Sequence, residues 1–318
     1  MLQIFHNTNF DFMGRRRIAY IFSAFMILLS TWSLFMNHPR TYLFGPRFGI
    51  DFTGGVMMQV RFQNPAAMDQ VREALDGAGL KGAEIQSVAN SNDVMIRFQQ
   101  SGANDPFPRI HTSLVKAFPG NSVTLMRQEN VGPKIGKELA GKALNAVFGA
   151  MGMILIYIAL RYEWKFALGA VVALAHDVYI TLGMISLTGK EFTLTVMAAL
   201  LTIAGYSNND TIVVFDRIRE RARVLKRESL VSVINLSVNE TLSRTIITSL
   251  TVTLSVLALY LVGGEVIHDF AFAMLVGVVF GTYSSVYVAS ALALDITLSQ
   301  MKATPVATKP GKKVTARS

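Results

Sequence analysis

Six long apolar stretches, at residues 18–36, 143–160, 166–187, 192–215, 246–262 and 270–294, constrain this chain more than any other feature. A helix needs about 20 apolar residues, within a range of about 17–25, to cross the hydrocarbon core of a bilayer, and all six stretches fit. In lipid an open structure can satisfy its own backbone groups only as a helix, so each stretch is expected to be a transmembrane helix. Composition agrees, with 51% hydrophobic and 16% charged residues, against about 25% charged in a soluble domain. The first stretch follows Arg15-Arg16-Arg17, as a signal peptide would. It is longer than the usual apolar core of such a peptide, and no small-x-small cleavage site follows Met36, so it is read as a retained helix. The chain has no cysteine, which excludes disulfides and thiol ligands.

Basic residues in short connections set the orientation, because they stay on the cytoplasmic side. Arg15, Arg16 and Arg17 precede the first stretch, and Arg161 and Lys165 lie between the second and third. Arg217, Arg219, Arg221, Arg223, Lys226 and Arg227 follow the fourth, and Lys302, Lys309, Lys312, Lys313 and Arg317 follow the last. The connections of opposite parity hold Lys190 beside Glu191, Glu265 and Asp269. Both termini, 1–17 and a disordered basic tail at 298–318, are therefore expected in the cytoplasm, together with a basic loop at 216–243. The net charge of +9 reads as inner-face topology and contact with anionic lipid. Nucleic acid is not expected as a partner, since no binding fold accompanies the basic residues.

Residues 37–137, between the first span and the five within 138–297, form the one long hydrophilic stretch, and parity places them outside the cytoplasm. Val56, Met58, Val60 and Phe62 alternate with Gln59 and Arg61, and Val94, Ile96 and Phe98 repeat the pattern, so both segments predict half-buried strands. Weaker strands are expected at 84–88 and 122–127. Met68, Val71 and Leu75 follow helical spacing after Pro65, as do Ile110, Leu114, Val115 and Phe118 after Pro108. The order strand, helix, strand, strand, helix, strand is that of a small α+β, ferredoxin-like domain.

Two glycine-containing motifs flank this domain. Residues 49–55 (GIDFTGG) predict a tight turn into the first strand, where Gly54 and Gly55 permit positive φ. A phosphate cradle would need a strand before it and a helix after it, whereas a strand follows here. Gly132-Pro133 opens 132–137 (GPKIGK), whose glycines are spaced four apart rather than the five of a Walker loop. With no nucleotide-binding motif and no thiol ligands, neither an enzymatic activity nor a metal or other cofactor is expected.

An ionisable side chain within a span is costly and marks function by default. Asp210 lies in 205–211 (GYSNNDT) inside the fourth stretch. Thr202, Tyr206, Asn209 or Asp210, Val213 and Arg217 share one helical stripe, which is expected to face another helix. Arg244 opens the fifth stretch, with Thr248, Thr251 and Ser255 following at helical spacing. His176-Asp177 lies midway along the third, where a satisfied interhelical hydrogen bond and a proton relay both remain open. Burial favours the protonated form of a carboxylate and a nearby arginine favours the ionised form. A pair that makes and breaks contact can therefore take up and release protons. Moving one charge through the membrane potential is worth about 2.3 kcal/mol per 100 mV. Asp210 and Arg244 are the main candidates for a proton pathway, with Asp177, His176 and Asn209 as further ones; Gly54, Gly55, Gly132 and Pro133 are candidate hinges.

These residues carry a resemblance. The blocks 49–55 (GIDFTGG), 131–133 (VGP), 175–178 (AHDV), 205–220 (GYSNNDTIVVFDRIRE) and 239–248 (NETLSRTIIT) resemble, in order, the signature blocks of the SecF family of bacterial protein-export subunits. That family is distantly similar to the resistance–nodulation–division transporters. The resemblance covers residues 10–297. It implies an inner-membrane protein that pairs with SecD, associates with the SecYEG channel and YajC, and uses the proton-motive force to help move or release preproteins on the periplasmic side. It also implies that Asp210 is a proton-pathway aspartate and Arg244 an essential arginine. Two other readings stay open: half of a proton-driven lipid or small-molecule exporter, and a non-conducting assembly scaffold.

Overall fold

The structure, a computed structural model, describes residues 8–36, 47–88, 91–99 and 105–303. The chain divides into two compact units. One contains residues 45–149 and 189–198, and the other contains 1–44, 150–188 and 199–318.

The first unit is built on a four-stranded antiparallel sheet of β2 (Gly55–Phe62), β3 (Glu84–Ser87), β4 (Asp93–Phe98) and β5 (Val123–Val131), in the order β3-β4-β2-β5. Helix α3 (Met68–Gly77) connects β2 to β3, and α4 (Phe107–Ala117) connects β4 to β5. The central pair is in register, with Val60 opposite Val94, Met58 opposite Ile96 and Val56 opposite Phe98. Because side chains alternate along a strand, this register puts one row of apolar groups on a single face. That row meets Val71 and Leu75 of α3 and Ile110 and Leu114 of α4 in one buried core. Burying each such side chain contributes roughly 1.5–3 kcal/mol. Val115, expected on the buried stripe of α4, is instead exposed. Three short elements complete the unit. They are β1 (Arg47–Phe48), a helical turn α2 (Ile50–Thr53), and β6 (Glu191–Phe192), which pairs in parallel with β1.

Long helices make up the second unit. They are α1 (Arg16–Met36), the distal part of α5 (Pro133–Arg161), α6 (Trp164–Leu187), α7 (Leu194–Val224), α8 (Leu230–Val262), α9 (Glu265–Ser284), a π-helical segment Ser285–Ala289, and α10 (Ser290–Ala303). Among the described residues, five runs are long and apolar enough to cross a membrane: Arg16–Phe35, Pro133–Arg161, Trp164–Leu187, Leu230–Val262 and Ile267–Met301. The fourth expected span falls on α7, whose Ser207-Asn208-Asn209-Asp210 cluster and arginine-rich end lower its apolar character below theirs.

Close helix contacts depend on small residues, as membrane interfaces do. Gly277 and Gly281 of α9 lie against Ile203 and Ser207 of α7, and Gly183 of α6 against Ser30 of α1.

Two expectations are corrected. The loop placed at 216–243 is almost wholly helical, with only 225–229 outside α7 and α8. Ser229 caps α8 by accepting from the Ser232 amide, and Glu240 bridges two of the arginines, Arg217 at 2.6 Å and Arg221. In the tail expected to be disordered, 298–303 belong to α10, and 304–318 lie outside the described residues.

Candidate functional site

Among the described residues, two carboxylates are buried among the long helices, and they differ in how fully they are bonded. Asp177 is completely buried on α6. Its Oδ2 accepts from Ser207 of α7 and from Ser284 of α9, each at 2.6 Å. Its Oδ1 lies 2.9 Å from His176 Nδ1. His176 Nε2 is 3.1 Å from Ser23 Oγ on α1, and Ser23 is 3.0 Å from Tyr283 OH of α9. Both oxygens are occupied, and the network ties together α1, α6, α7 and α9. Ser284 ends α9 immediately before the π-helical segment; such bulges are frequent where a helix serves a function.

Asp210 lies one turn beyond Ser207 on α7 and is 3% exposed. Its Oδ2 is buried with no hydrogen-bond partner among the described residues. Helix α8 supplies the groups that act on its charge, the Arg244 guanidinium and the Ser249 hydroxyl. Ser249 in turn is 2.6 Å from Thr282 Oγ1 of α9 and accepts from Tyr206 at 3.3 Å. Thr245, next to Arg244, has a second buried and unpartnered oxygen. A buried acceptor left unsatisfied costs about 1–3 kcal/mol and calls for an explanation in function. Asp177 is saturated, whereas Asp210 has room for a proton.

Other candidates fall elsewhere. Asn209 is exposed and shares a face of α7 with Thr202 and Gly205, about 100° around the helix from Asp210. The stripe proposed from sequence therefore divides: Asp210 belongs to the buried side and Asn209 does not. Arg244 is exposed, as are Thr251 and Ser255 farther along α8, while Thr248 is half-buried. The hydroxyls of Thr248, Thr251 and Ser255 bond back to carbonyls of their own helix.

The hinge candidates meet one another in the first unit. Gly54 and Gly55 have φ of 73° and 125°. A Cβ on Gly54 would stand 2.8 Å from Pro133 Cα, and one on Gly55 would stand 2.9 Å from the Phe98 carbonyl oxygen. Gly132 and Pro133 follow β5 directly, and Pro133 opens α5, where the missing N–H and fixed φ suit a first helical position.

Asp51, which sequence reasoning passed over, accepts the Leu194 amide at 2.9 Å. It thus places a negative charge at the start of α7, the helix that carries Asp210. Outside the membrane segments, buried Asp93 accepts from Arg61 at 2.7 and 3.0 Å and from Gln59 at 2.8 Å. The Arg61 guanidinium holds the Asp93 carboxyl below the usual carboxylate range.

Residues 110–299 match the family described as protein export membrane protein SecD/SecF, C-terminal, and residues 43–66 match the SecD/SecF GG motif. The chain is 48% identical over 292 residues to the protein translocase subunit SecF of Magnetococcus marinus, covering 90% of this chain and 92% of the relative. It is 43% identical over 292 residues to that of Calditerrivibrio nitroreducens, covering 90% and 94%. Among solved structures it is similar to SecDF, a translocon-associated membrane protein from Thermus thermophilus, with a TM-score of 0.81 and 38% identity. That match covers 92% of this chain and 39% of the longer SecDF chain.

Proposed function

The chain belongs to the SecF family of protein translocase subunits, and from that premise we propose that it is a proton-coupled auxiliary of protein export working beside a SecD subunit. The observation that carries the proposal is Asp210, a buried carboxylate with one oxygen unpartnered and an arginine on the neighbouring helix. Protonation of Asp210 removes a buried charge and releases its hold on Arg244, and deprotonation restores both. Each change alters the attraction between α7 and α8. Alternate access of this site to the two sides of the membrane would convert proton flow into helix movement. No nucleotide, metal or other cofactor takes part; the proton is the coupling ion.

On this reading α7 is the fourth of six spans, its polarity matched by protein rather than lipid. Asn209 on α7 and Arg244 on α8 present exposed polar surface at membrane depth. Such surface is costly against lipid, and a SecD subunit would cover it. The fact that one longer SecDF chain contains a region similar to this chain supports that pairing. The excess of basic residues in the 15–17, 161–165 and 216–227 segments supports cytoplasmic termini in the bacterial inner membrane. With that orientation the β2–β5 sheet and its two helices form a ferredoxin-like module on the periplasmic side, supported by the strand order β3-β4-β2-β5. There it would meet the preprotein emerging from SecYEG, with YajC as a further associate, after the ATP-driven motor has acted.

Membrane vesicles that import preprotein test the proposal. Asp210→Asn should still assemble with SecD but lose the component of translocation that a protonophore abolishes in the unsubstituted complex. Full, protonophore-sensitive translocation by the variant refutes proton coupling and leaves a scaffold.

A further inference from the structure

The bonding around His176 fixes where its protons lie. Tyr283 has one hydroxyl proton and gives it to the Ala19 carbonyl at 2.7 Å. The 3.0 Å contact between Ser23 and Tyr283 therefore needs Ser23 as donor. Ser23 then has no proton left for His176 at 3.1 Å, so His176 Nε2 must carry hydrogen and donate it. On the other side, Asp177 Oδ2 already receives hydroxyl protons from Ser207 and Ser284 at 2.6 Å; Ser284 also lies 3.2 Å from the Gly281 carbonyl, a longer alternative. The 2.9 Å contact between His176 Nδ1 and Asp177 Oδ1 must contain a proton to be a bond. That proton lies either on nitrogen, giving an imidazolium beside a carboxylate, or on oxygen, giving a neutral imidazole beside an acid. In both forms the pair has zero net charge.

We propose that His176 and Asp177 hold this shared proton permanently and form an electrically neutral latch that fixes α7 one turn from Asp210, outside the path of proton flow. Three observations converge on this. His176 and Asp177 are buried, at 6% and 0% exposure. The groups that face them are Ser23 from α1, Ser207 from α7, and Ser284 and Tyr283 from α9, none of which ionises near neutral pH; the titratable partner in contact with Asp177 is His176 itself. Removing the shared proton would strand an anion, and adding another would strand a cation, each in a site with no counter-charge among the described residues. Asp210 differs because its free oxygen can accept a proton without breaking a bond. The latch positions the α7 turn on which Asp210 depends, and this part of the inference rests on the proton role proposed for Asp210.

The test is nitrogen NMR of the full chain, assembled with its SecD partner in lipid nanodiscs and labelled at its five histidines. His176→Gln identifies the His176 signals. An unperturbed histidine titrates near pH 6.5. The latch predicts instead that Nε2 stays protonated and that neither nitrogen shifts between about pH 5.5 and 8.5, one unit or more either side of that value. An unprotonated Nε2, or a titration in that window, overturns the proposal. Asp177→Asn supplies an independent arm, since the carboxamide oxygen still accepts from Ser207 and Ser284 and its N–H donates to Nδ1. This variant should keep protonophore-sensitive translocation within about twofold, while Asp210→Asn loses it. If Asp177→Asn assembles and yet fails as Asp210→Asn does, Asp177 is a relay and the latch is refuted. If Asp210→Asn has no effect, the proposed function fails, while the His176 signals still decide the latch, as they do if Asp177→Asn does not assemble.

Discussion

The contact between α7 and α9 can be probed by adding one methyl group. A Cβ on Gly277 would stand 2.3 Å from Ile203 Cδ1, 2.4 Å from Cγ1 and 2.8 Å from Cγ2, whereas carbon atoms pack best at about 3.5–4.0 Å. Ile203 is fully buried, and a β-branched side chain in a helix has essentially one χ1 rotamer. It cannot turn aside, so the helices must separate. Overpacking of this kind costs about 1–3 kcal/mol. Glycine-to-alanine exchange also raises helix propensity by about 1 kcal/mol, which would mask part of the loss. Gly152→Ala on α5 has that gain without a clash, since nothing lies within 4 Å of its Cβ position. The difference between the two variants therefore isolates the packing term. We expect Gly277→Ala to be about 1–3 kcal/mol less stable than Gly152→Ala when unfolded by denaturant in mixed micelles, a factor of about 5–160 in the folded-to-unfolded ratio. Adding Ile203→Ala removes all three overlapping carbons and should recover most of that difference as a coupling energy. Equal stability of Gly277→Ala and Gly152→Ala refutes the close approach of α7 to α9.

Three further outcomes are expected. Asp93 has its carboxyl held below the usual range by Arg61, so the stability it contributes is present above the unfolded value of about 3.9 and is lost as pH falls through the folded value. Asp93→Asn should remove about 1–3 kcal/mol at neutral pH and flatten the acid limb of the stability curve; an unchanged acid limb contradicts the assignment. Asn239 clasps the N-terminal segment by accepting from the Phe10 amide and donating to the Phe10 carbonyl, both at 2.9 Å. Asn239→Ala should cost about 1–3 kcal/mol and expose the segment around Phe10 to proteolysis, and equal resistance would show the clasp to be dispensable. Asp51→Ala removes the carboxylate from the Leu194 amide and should lower stability by about 0.5–2 kcal/mol, a loss that Asp51→Asn largely avoids.

Much of the fold was legible because its periods are strong. Alternation at Val56–Phe62 and Val94–Gln99 predicted both central strands, observed at Gly55–Phe62 and Asp93–Phe98, and the two glycines after GIDFT predicted a turn with positive φ. Apolar length predicted the five membrane-length helices found among the described residues, whereas the helical continuation of α7 and α8 through most of 216–243 was not expected. Features that depend on distant partners were not legible. The parallel pairing of Arg47–Phe48 with Glu191–Phe192 joins segments far apart in sequence, and the contacts made by Asp51 with Leu194 and by Asn239 with Phe10 leave no local period. Helical spacing alone could not choose whether Asn209 or Asp210 lies on the inward stripe, since neighbours on a helix differ by about 100°. Packing against α9, which turns Ser207 and Asp210 inward and Asn209 outward, makes that choice. His176 and Asp177 stayed ambiguous for the same reason: saturation of Asp177 comes from serines on two other helices.

The most direct test of the central claim is proton entry into liposomes containing this chain with its SecD partner, followed by an internal pH-sensitive dye under an imposed gradient. Asp210→Asn should reduce protein-dependent influx to the level of empty liposomes, while Asp177→Asn leaves it near that of the unsubstituted complex. Influx through Asp210→Asn equal to that of the unsubstituted complex would contradict the claim that this carboxylate carries the coupling proton.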